Sequence, residues 1–313
     1  MVRLFENKDV LGLTCDKIAA LLNTAKGVSF EESTYRKYWK AFNEGRGYER
    51  RKQMDGVVET ILGISDLHIP YQLPISTFSN YAGSVDTLVI NGDVSDMQTL
   101  SRFDKKYRNN PIDELVETRS YLIELIASIS PRRVIINYGN HDLRLGDHLA
   151  KALDNEIKDV LPDTQLELIV CDGFTHYDKK NGTKTHYDSL ISIFKNSGID
   201  VVYSGKWWCK VGNTIFAHPK AYSSGMLKTA EKAVNYFLRI DRTFTSIVLA
   251  HTHKLGSYIQ GNINLYEQGA CCKIEASAYC DGQLVIPQQR GFIVVRHDEN
   301  GNLMSEKTVL ERV

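Results

Sequence analysis

Leu88-Val89-Ile90-Asn91-Gly92-Asp93-Val94-Ser95-Asp96 is the stretch whose reading decides the fold. Three apolar residues in a row suit a strand buried on both faces, because a strand with one wet face alternates instead. Asn91-Gly92 is a turn signal that ends the run. Asp93 follows at once, a carboxylate at the carboxyl end of a strand, where open α/β sheets bind ligands.

The same pattern recurs outward along the chain. Val57–Ile64 predicts a strand that runs into Ser65-Asp66-Leu67-His68, and Val134–Asn137 one that runs into Tyr138-Gly139-Asn140-His141-Asp142. Thr214–Ala217 ends at His218, and Ser246–Ala250 ends at His251-Thr252-His253. Leu115, Leu122, Leu125, Ile126 and Ile129 recur at helical spacing, which predicts a helix over Ile112–Ile129 stopped by Pro131. Further helices are expected over Leu145–Leu161 and Leu227–Ile240, and further strands over Leu166–Val170, Val201–Tyr203 and Trp207–Val211. Gly212-Asn213 reads as a hairpin turn, and Gly291–Arg296 as hairpin material near the C-terminus. The polar segment Asp172–Ser189 reads as an exposed loop, with His176 and His186 as surface histidines. Trp207 and Trp208 are adjacent on a strand and point to opposite faces, so at most one of them can stack a base.

Residues 1–55 read differently. Ile18, Leu21, Leu22 and Ala25 mark one helix, and Ser29 with Glu32 reads as a capping box that opens a second. Tyr35, Tyr38, Trp39 and Phe42 share a face of that second helix, which Gly45 is expected to stop. Two short helices on a tight link resemble a helix-turn-helix. From Arg36 to Lys52 the basic residues are Arg36, Lys37, Lys40, Arg46, Arg50, Arg51 and Lys52, opposed only by Glu44 and Glu49. Such an excess suits a phosphate backbone, with Arg36, Lys37 and Lys40 as candidate contacts. A helical cap with a solvated charged edge is the alternative. The chain therefore divides into a helix-turn-helix-like basic module, 1–55, and a larger domain of alternating strands and helices, 56–313.

Composition narrows the class without naming it. Lys plus Arg equals Asp plus Glu at 38 each, so the whole chain gives no argument for nucleic acid or membrane. No apolar run approaches a membrane span, and the N-terminus lacks a signal peptide's apolar core, so a cytoplasmic protein is expected. Six scattered cysteines without a Cys-x-x-Cys pair read as reduced thiols.

Collected, the strand ends give Asp66-x-His68, Gly92-Asp93-x-x-Asp96, Gly139-Asn140-His141-Asp142, His218 and His251-x-His253. Carboxylate, imidazole and amide oxygen are ligands that divalent ions accept. A carboxylate has two oxygens and can bridge a pair of ions, and paired ions clamp the attacking and leaving oxygens of a phosphoryl transfer. Each fragment alone is a weak signal; all five at strand ends are a strong one.

In this order the fragments resemble the signature of the calcineurin-like metallophosphoesterases: Asp-x-His, Gly-Asp-x-x-Asp, Gly-Asn-His-Asp/Glu, a lone His, then Gly-His-x-His. The resemblance spans about Val57 to His253. It implies an α/β (α+β) fold, a two-sheet β-sandwich flanked by helices with two divalent metals at one edge. By that resemblance Asp66, His68, Asp93 and His253 hold the first ion, and Asp93, Asn140, His218 and His251 the second, with Asp93 as bridge. Mn²⁺ is the expected ion, with Fe, Zn, Ni, Co and Mg as alternatives. His141 would sit outside the metal shell as general acid, with Asp142 orienting its ring. Ala250 stands where the family usually has Gly, which puts the local backbone angles in question.

The chemistry implied is attack by a metal-activated hydroxide, with no covalent enzyme intermediate. Arg102, Arg144 and Lys220, in loops near the ligands, are candidate substrate contacts. The basic N-terminus favours a nucleic-acid phosphodiester, DNA or RNA, and hence a nuclease in the manner of this family's DNA-repair exonucleases. A phosphatase or nucleotide phosphodiesterase is the alternative. A non-catalytic nucleic-acid-binding protein on this fold is a third reading, which the intact ligand set opposes.

Overall fold

The computed structural model describes residues 5, 8, 13–101, 109–152, 161–221, 223, 225, 227–274 and 288–313, with the backbone alone for 43–53. The chain forms two compact units, Met1–Gly56 and Val57–Val313.

In the first unit, helix α1 (Cys15–Lys26) opens on Thr14, whose hydroxyl accepts from Lys17 N, and closes on Gly27 at φ 63°. Helix α2 covers Glu32–Met54. The link between them is held by Asn23, which accepts from Phe30 N (3.2 Å) and from the Tyr35 hydroxyl (2.7 Å) and donates to Phe30 O (2.8 Å). Ser29 and Glu32 form no capping box; Glu31 occupies the cap position with no side-chain capping bond, and the Glu32 carboxylate pairs with Arg36. Gly45 does not stop α2, since one interior glycine costs a helix only about 1 kcal/mol. Phe5, Ile18, Ala19, Leu22 and Tyr35 form the buried centre, with Trp39 and Phe42 packed against it. Leu21 and Ala25, expected in that stripe, face water instead, and Tyr38 is 44% exposed. Of the aromatic face, Tyr35, Trp39 and Phe42 belong to the core and Tyr38 does not.

The second unit is a sandwich of two mixed sheets flanked by helices. The larger sheet has strands β1 (Glu59–Ile64), β2 (Thr87–Asn91), β3 (Arg133–Asn137), β6 (Asp200–Tyr203), β12 (Gly291–His297) and β13 (Val309–Arg312), ordered β13-β12-β1-β2-β3-β6. The smaller is ordered β10-β11-β9-β8-β7, from β7 (Trp208–Val211), β8 (Thr214–Ala217), β9 (Ser246–Leu249), β10 (Leu255–Gln260) and β11 (Ile263–Gln268). Alternate residues explain the layering. Ile61, Val89, Ile135 and Ile293 face the second sheet and meet Phe216, Val248 and Tyr266. Leu62, Leu88, Ile90, Val134 and Ile136 face the other way, onto helix α3 (Pro111–Ile129) through Leu115, Leu122, Leu125 and Ile126. Ile215, Ile247 and Leu265 of the smaller sheet pack on Ala230, Val234 and Phe237 of a helix at Lys228–Phe237. Each such fully buried aliphatic side chain contributes about 1.5–3 kcal/mol.

Register brings the functional loops to one edge. Ile64, Ile90 and Ile136 pair side by side across β1, β2 and β3, so the turns after them start at one level. Ala217 pairs with Leu249 in the same way, just before His218 and His251.

Three local expectations are corrected. Leu166–Val170 is helical, as a turn at Gln165–Glu167 continued by a wider one at Leu168–Asp172. Leu166, Ile169 and Val170 lie at i, i+3 and i+4, which puts all three into the core from one helical face. Asp172–Ser189 is a β-hairpin, β4 (Phe174–Asp178) with β5 (Thr183–Tyr187), hidden from a hydrophobicity reading by its polar residues. Its turn is set by Asp178, which accepts from Lys180 N and Asn181 N. Helix α4 covers Arg144–Ala152; the rest of the span expected to Leu161 lies outside the described residues, apart from Leu161 itself, which is non-helical. Trp207 precedes β7, and Trp207 and Trp208 both pack near Phe237, with ring centroids at 5.4 and 5.3 Å, so the two do not point to opposite faces. Among the described residues, no helix is long and apolar enough to cross a membrane.

Candidate metal centre and active site

Three of the donor loops, those after β1, β2 and β9, pass through left-handed residues. Asp66, His68, Asp93, His251 and His253 have φ of 52, 45, 50, 74 and 51°. For residues with a Cβ this region costs about 1–2 kcal/mol each, so the fold must enforce it. Cross-loop bonds do so: Asp66 N donates to Gly92 O (3.0 Å), His68 N to Asp93 O (3.1 Å) and Ile69 N to Val94 O (3.0 Å). The glycines are needed for closeness. A Cβ on Gly92 would lie 2.6 Å from His218 Nδ1, and one on Gly139 would strike Asp93. Ala250 is tolerated: it is buried, and its φ is not positive.

Two donor groups converge. In the first, His68 Nε2 and His253 Nε2 are 3.3 Å apart, and His253 Nε2 lies 3.0 Å from Asp66 Oδ1. The other Asp66 oxygen accepts from the Ser65 hydroxyl (2.6 Å) and from His251 N (3.3 Å). The second group is Asp93, His218 and His251. Asp93 Oδ2 stands 3.2 Å from His218 Nε2 and 3.9 Å from His68 Nε2, so one carboxylate oxygen faces both groups. Its partner Oδ1 accepts from His141 N (2.7 Å). His218 Nδ1 donates to Asn91 O (2.8 Å), which leaves Nε2 as the coordinating nitrogen. The buried Oδ1 of Asn140 has no hydrogen-bond partner among the described residues. Paired imidazole nitrogens facing a carboxylate, with an orphan amide oxygen nearby, fit a divalent cation.

Residues 59–255 match the family described as Calcineurin-like phosphoesterase. The chain belongs to the calcineurin-like phosphoesterase family. It is a metal-dependent phosphoesterase, and the converging His and Asp groups are its candidate ligands. Residues 1–54 of this phosphoesterase are similar to the family described as YonJ N-terminal domain. No curated protein matches the chain. Among solved structures it is similar to an archaeal phosphodiesterase, with 14% identity over 80% of this chain and 99% of that one, TM-score 0.37. It is similar also to vacuolar protein sorting 29 of Cryptosporidium parvum, with 13% identity over 82% and 97%, TM-score 0.37. The zinc complex of Vps29 from Entamoeba histolytica gives 14% identity over 81% and 98%, TM-score 0.38.

The phosphoesterase's other loop residues hold this centre in shape. Asp142 does not reach the His141 ring. Its buried carboxylate accepts from Val94 N (3.1 Å), Ser95 N (3.3 Å) and Gly139 N (2.8 Å), tying the loops after β2 and β3 together. Burial and nearby Asp93 push it up to about 7. The ring partner is Asp96: its Oδ1 accepts from His141 Nδ1 (2.9 Å) and from His68 Nδ1 (3.2 Å). One carboxylate thus fixes the tautomer of both rings and turns their Nε2 atoms inward. Arg144, half-buried, donates to Asp96 O and, at 3.1 Å, to His141 Nε2. Sequence reasoning quoted Asp96 inside a motif but gave it no role. It missed Gln165, which donates to His141 O and to the Ser95 hydroxyl (both 2.9 Å), and Glu114, which accepts from Met97 N. Gln165 carried no motif signal; Glu114 was visible only as a carboxylate in an apolar helix face.

Charge inside the centre is strongly coupled. Burial works against the Asp93 carboxylate, yet His218, His141 and His68 hold it well below the usual range. Asp66 moves the same way, against burial, through His253 and His218. His218 is raised to about 9 by Asp93 and Asp66 despite burial, whereas burial and His218 lower His251 to about 4. Burial lowers His141 too, aided by His68 and Arg144. Of the candidate substrate residues, Arg144 is thus engaged with the centre, Lys220 is exposed beside Asn140, and Arg102 lies outside the described residues. Arg36, Lys37 and Lys40 are exposed on α2, with Arg36 paired to Glu32 at 2.9 Å.

Proposed function

We propose that this phosphoesterase is a Mn²⁺-dependent phosphodiesterase of nucleic acids, a nuclease. Asp66, His68, Asp93 and His253 would hold one ion, and Asp93, Asn140, His218 and His251 the other. The observation that carries the metal assignment is Asp93 Oδ2, which faces His218 and His68 at once. When bound, the ions supply charge that offsets the phosphate's and activate water near neutral pH. Asp96 and Asn91 present imidazole Nε2 atoms to the ions by holding the opposite ring nitrogens. Asp142 keeps the two central loops at one spacing. The leaving oxygen needs a proton or an adjacent positive group, and His141 beside Arg144 supplies one or the other. The nucleic-acid substrate is supported by the exposed basic residues Arg36, Lys37 and Lys40, which would add affinity for a polyanion.

The test is a screen of the full chain, stripped and reloaded with single metals. Its substrates are bis-p-nitrophenyl phosphate, p-nitrophenyl phosphate, single- and double-stranded DNA, and RNA. Mn²⁺-supported cleavage of the diester and of at least one nucleic acid is expected. Turnover of the monoester alone would make the protein a phosphatase.

A further inference from the structure

A cavity of about 540 Å³ adjoins the metal centre, within the volume range of small-molecule sites. Asn140 lines it on the side of the centre, and Arg144 stands at the same boundary, bonded to His141. Arg144, His148 and Lys151 lie at i, i+4 and i+7 on α4 and so share one helical face toward the cavity. Lys220 lines it too, two residues past His218. The single opposing carboxylate in the lining is Asp147. His148, Lys151 and Lys220 are exposed, and none forms an ion pair or side-chain hydrogen bond among the described residues. The Lys151 and Lys220 charges, gathered without partners, repel one another, and an anion relieves that repulsion. Leu100, Leu143 and Ala150 complete the lining with apolar surface.

A cavity that is cationic, partly apolar and open to a phosphoryl-transfer centre matches one ligand chemistry. We infer that it is a second-phosphate subsite, which binds the phosphorylated nucleoside next to the scissile phosphate through Lys151, Lys220 and His148. The inference rests on the phosphodiesterase reading and deepens it: the substrate carries a phosphate on either side of a nucleoside. Two sources share that chemistry, a nucleic-acid strand and a free phosphorylated dinucleotide.

The experiment compares kcat/KM of the full chain on thymidine dinucleotides without a terminal phosphate, with a 5′-phosphate and with a 3′-phosphate. One terminal phosphate is expected to raise kcat/KM by about tenfold or more, a typical worth for one charge-assisted contact. In K151A/K220A the preference should fall to within about twofold, and K151R/K220R should restore it, which excludes a folding defect. Thymidine 3′,5′-bisphosphate binding to the metal-free protein, by calorimetry, should weaken by about tenfold in K151A/K220A. Equal turnover of all three dinucleotides, or a preference that survives K151A/K220A, overturns the subsite. If no diester is cleaved with any metal, the phosphodiesterase reading fails instead. The bisphosphate titration then decides the cavity alone, since unchanged binding in the double variant refutes it. A longer oligonucleotide cleaved better than the phosphorylated dinucleotide identifies a strand as the source, and equal cleavage identifies the free dinucleotide.

Discussion

The two units of this chain handle charge and backbone in opposite ways. In Met1–Gly56, Arg36, Lys37 and Lys40 face water, and positive φ among the described residues occurs only at Gly27 and Gly56. In Val57–Val313, Asp66, Asp93 and His218 are at most 1% exposed, and eight described residues with side chains are held at positive φ, five of them in the donor loops. Exposed charges are worth little singly and act in numbers on a polyanion. Buried charges are costly unless each finds partners, so a cluster of them kept together reports a task. The difference separates a unit whose charge is solvated from one whose charge is buried at a candidate metal centre.

The comparison breaks first at its glycines. Gly139→Ala places a methyl against Asp93, so metal content and hydrolysis of bis-p-nitrophenyl phosphate should both collapse. Gly27→Ala in the other unit meets open space at φ 63°, and should cost only about 1 kcal/mol of stability with hydrolysis intact. A Gly139→Ala protein with full metal content and normal turnover would remove the close-approach argument. Next in size is His141→Ala, which should keep its metals while kcat falls by ~10²–10⁴. The loss should be smaller on nitrophenyl esters than on alkyl esters, whose leaving groups need the proton; equal losses would rule out the acid role.

The smallest effect belongs to the N-terminal unit. Reversing charge at Arg36, Lys37 and Lys40 should leave small diesters unaffected. Cleavage of long DNA or RNA should weaken, with a shallower salt dependence because fewer counterions are released. An unchanged salt slope would make α2 a structural helix only.

What could be read beforehand follows the same division. The strand-end fragments were legible because short apolar runs such as Leu88–Ile90 stop at turn residues, and the donors follow immediately. The role of Asp142 was not, because its partners Val94 and Ser95 lie more than forty residues away and offer backbone amides, not side chains. Asp96 was likewise invisible as the shared partner of His68 and His141, a relation that exists only once the two loops meet. The hairpin at Phe174–Tyr187 escaped because its strands are polar, and β10 with β11 because Tyr258 and Ile259 are exposed on an edge strand. In α2 the tolerance of one glycine outweighed its reputation as a stop.

The central claim is that one buried carboxylate, Asp93, serves two ions. Metal analysis of Asp93→Asn beside wild type, with hydrolysis of bis-p-nitrophenyl phosphate on the same samples, tests it most directly. The substitution keeps the shape and removes the charge that two dications share. Two ions per wild-type chain are expected, with depletion at both positions and near-complete loss of hydrolysis in the variant. Two ions per chain and normal turnover in Asp93→Asn would contradict the account.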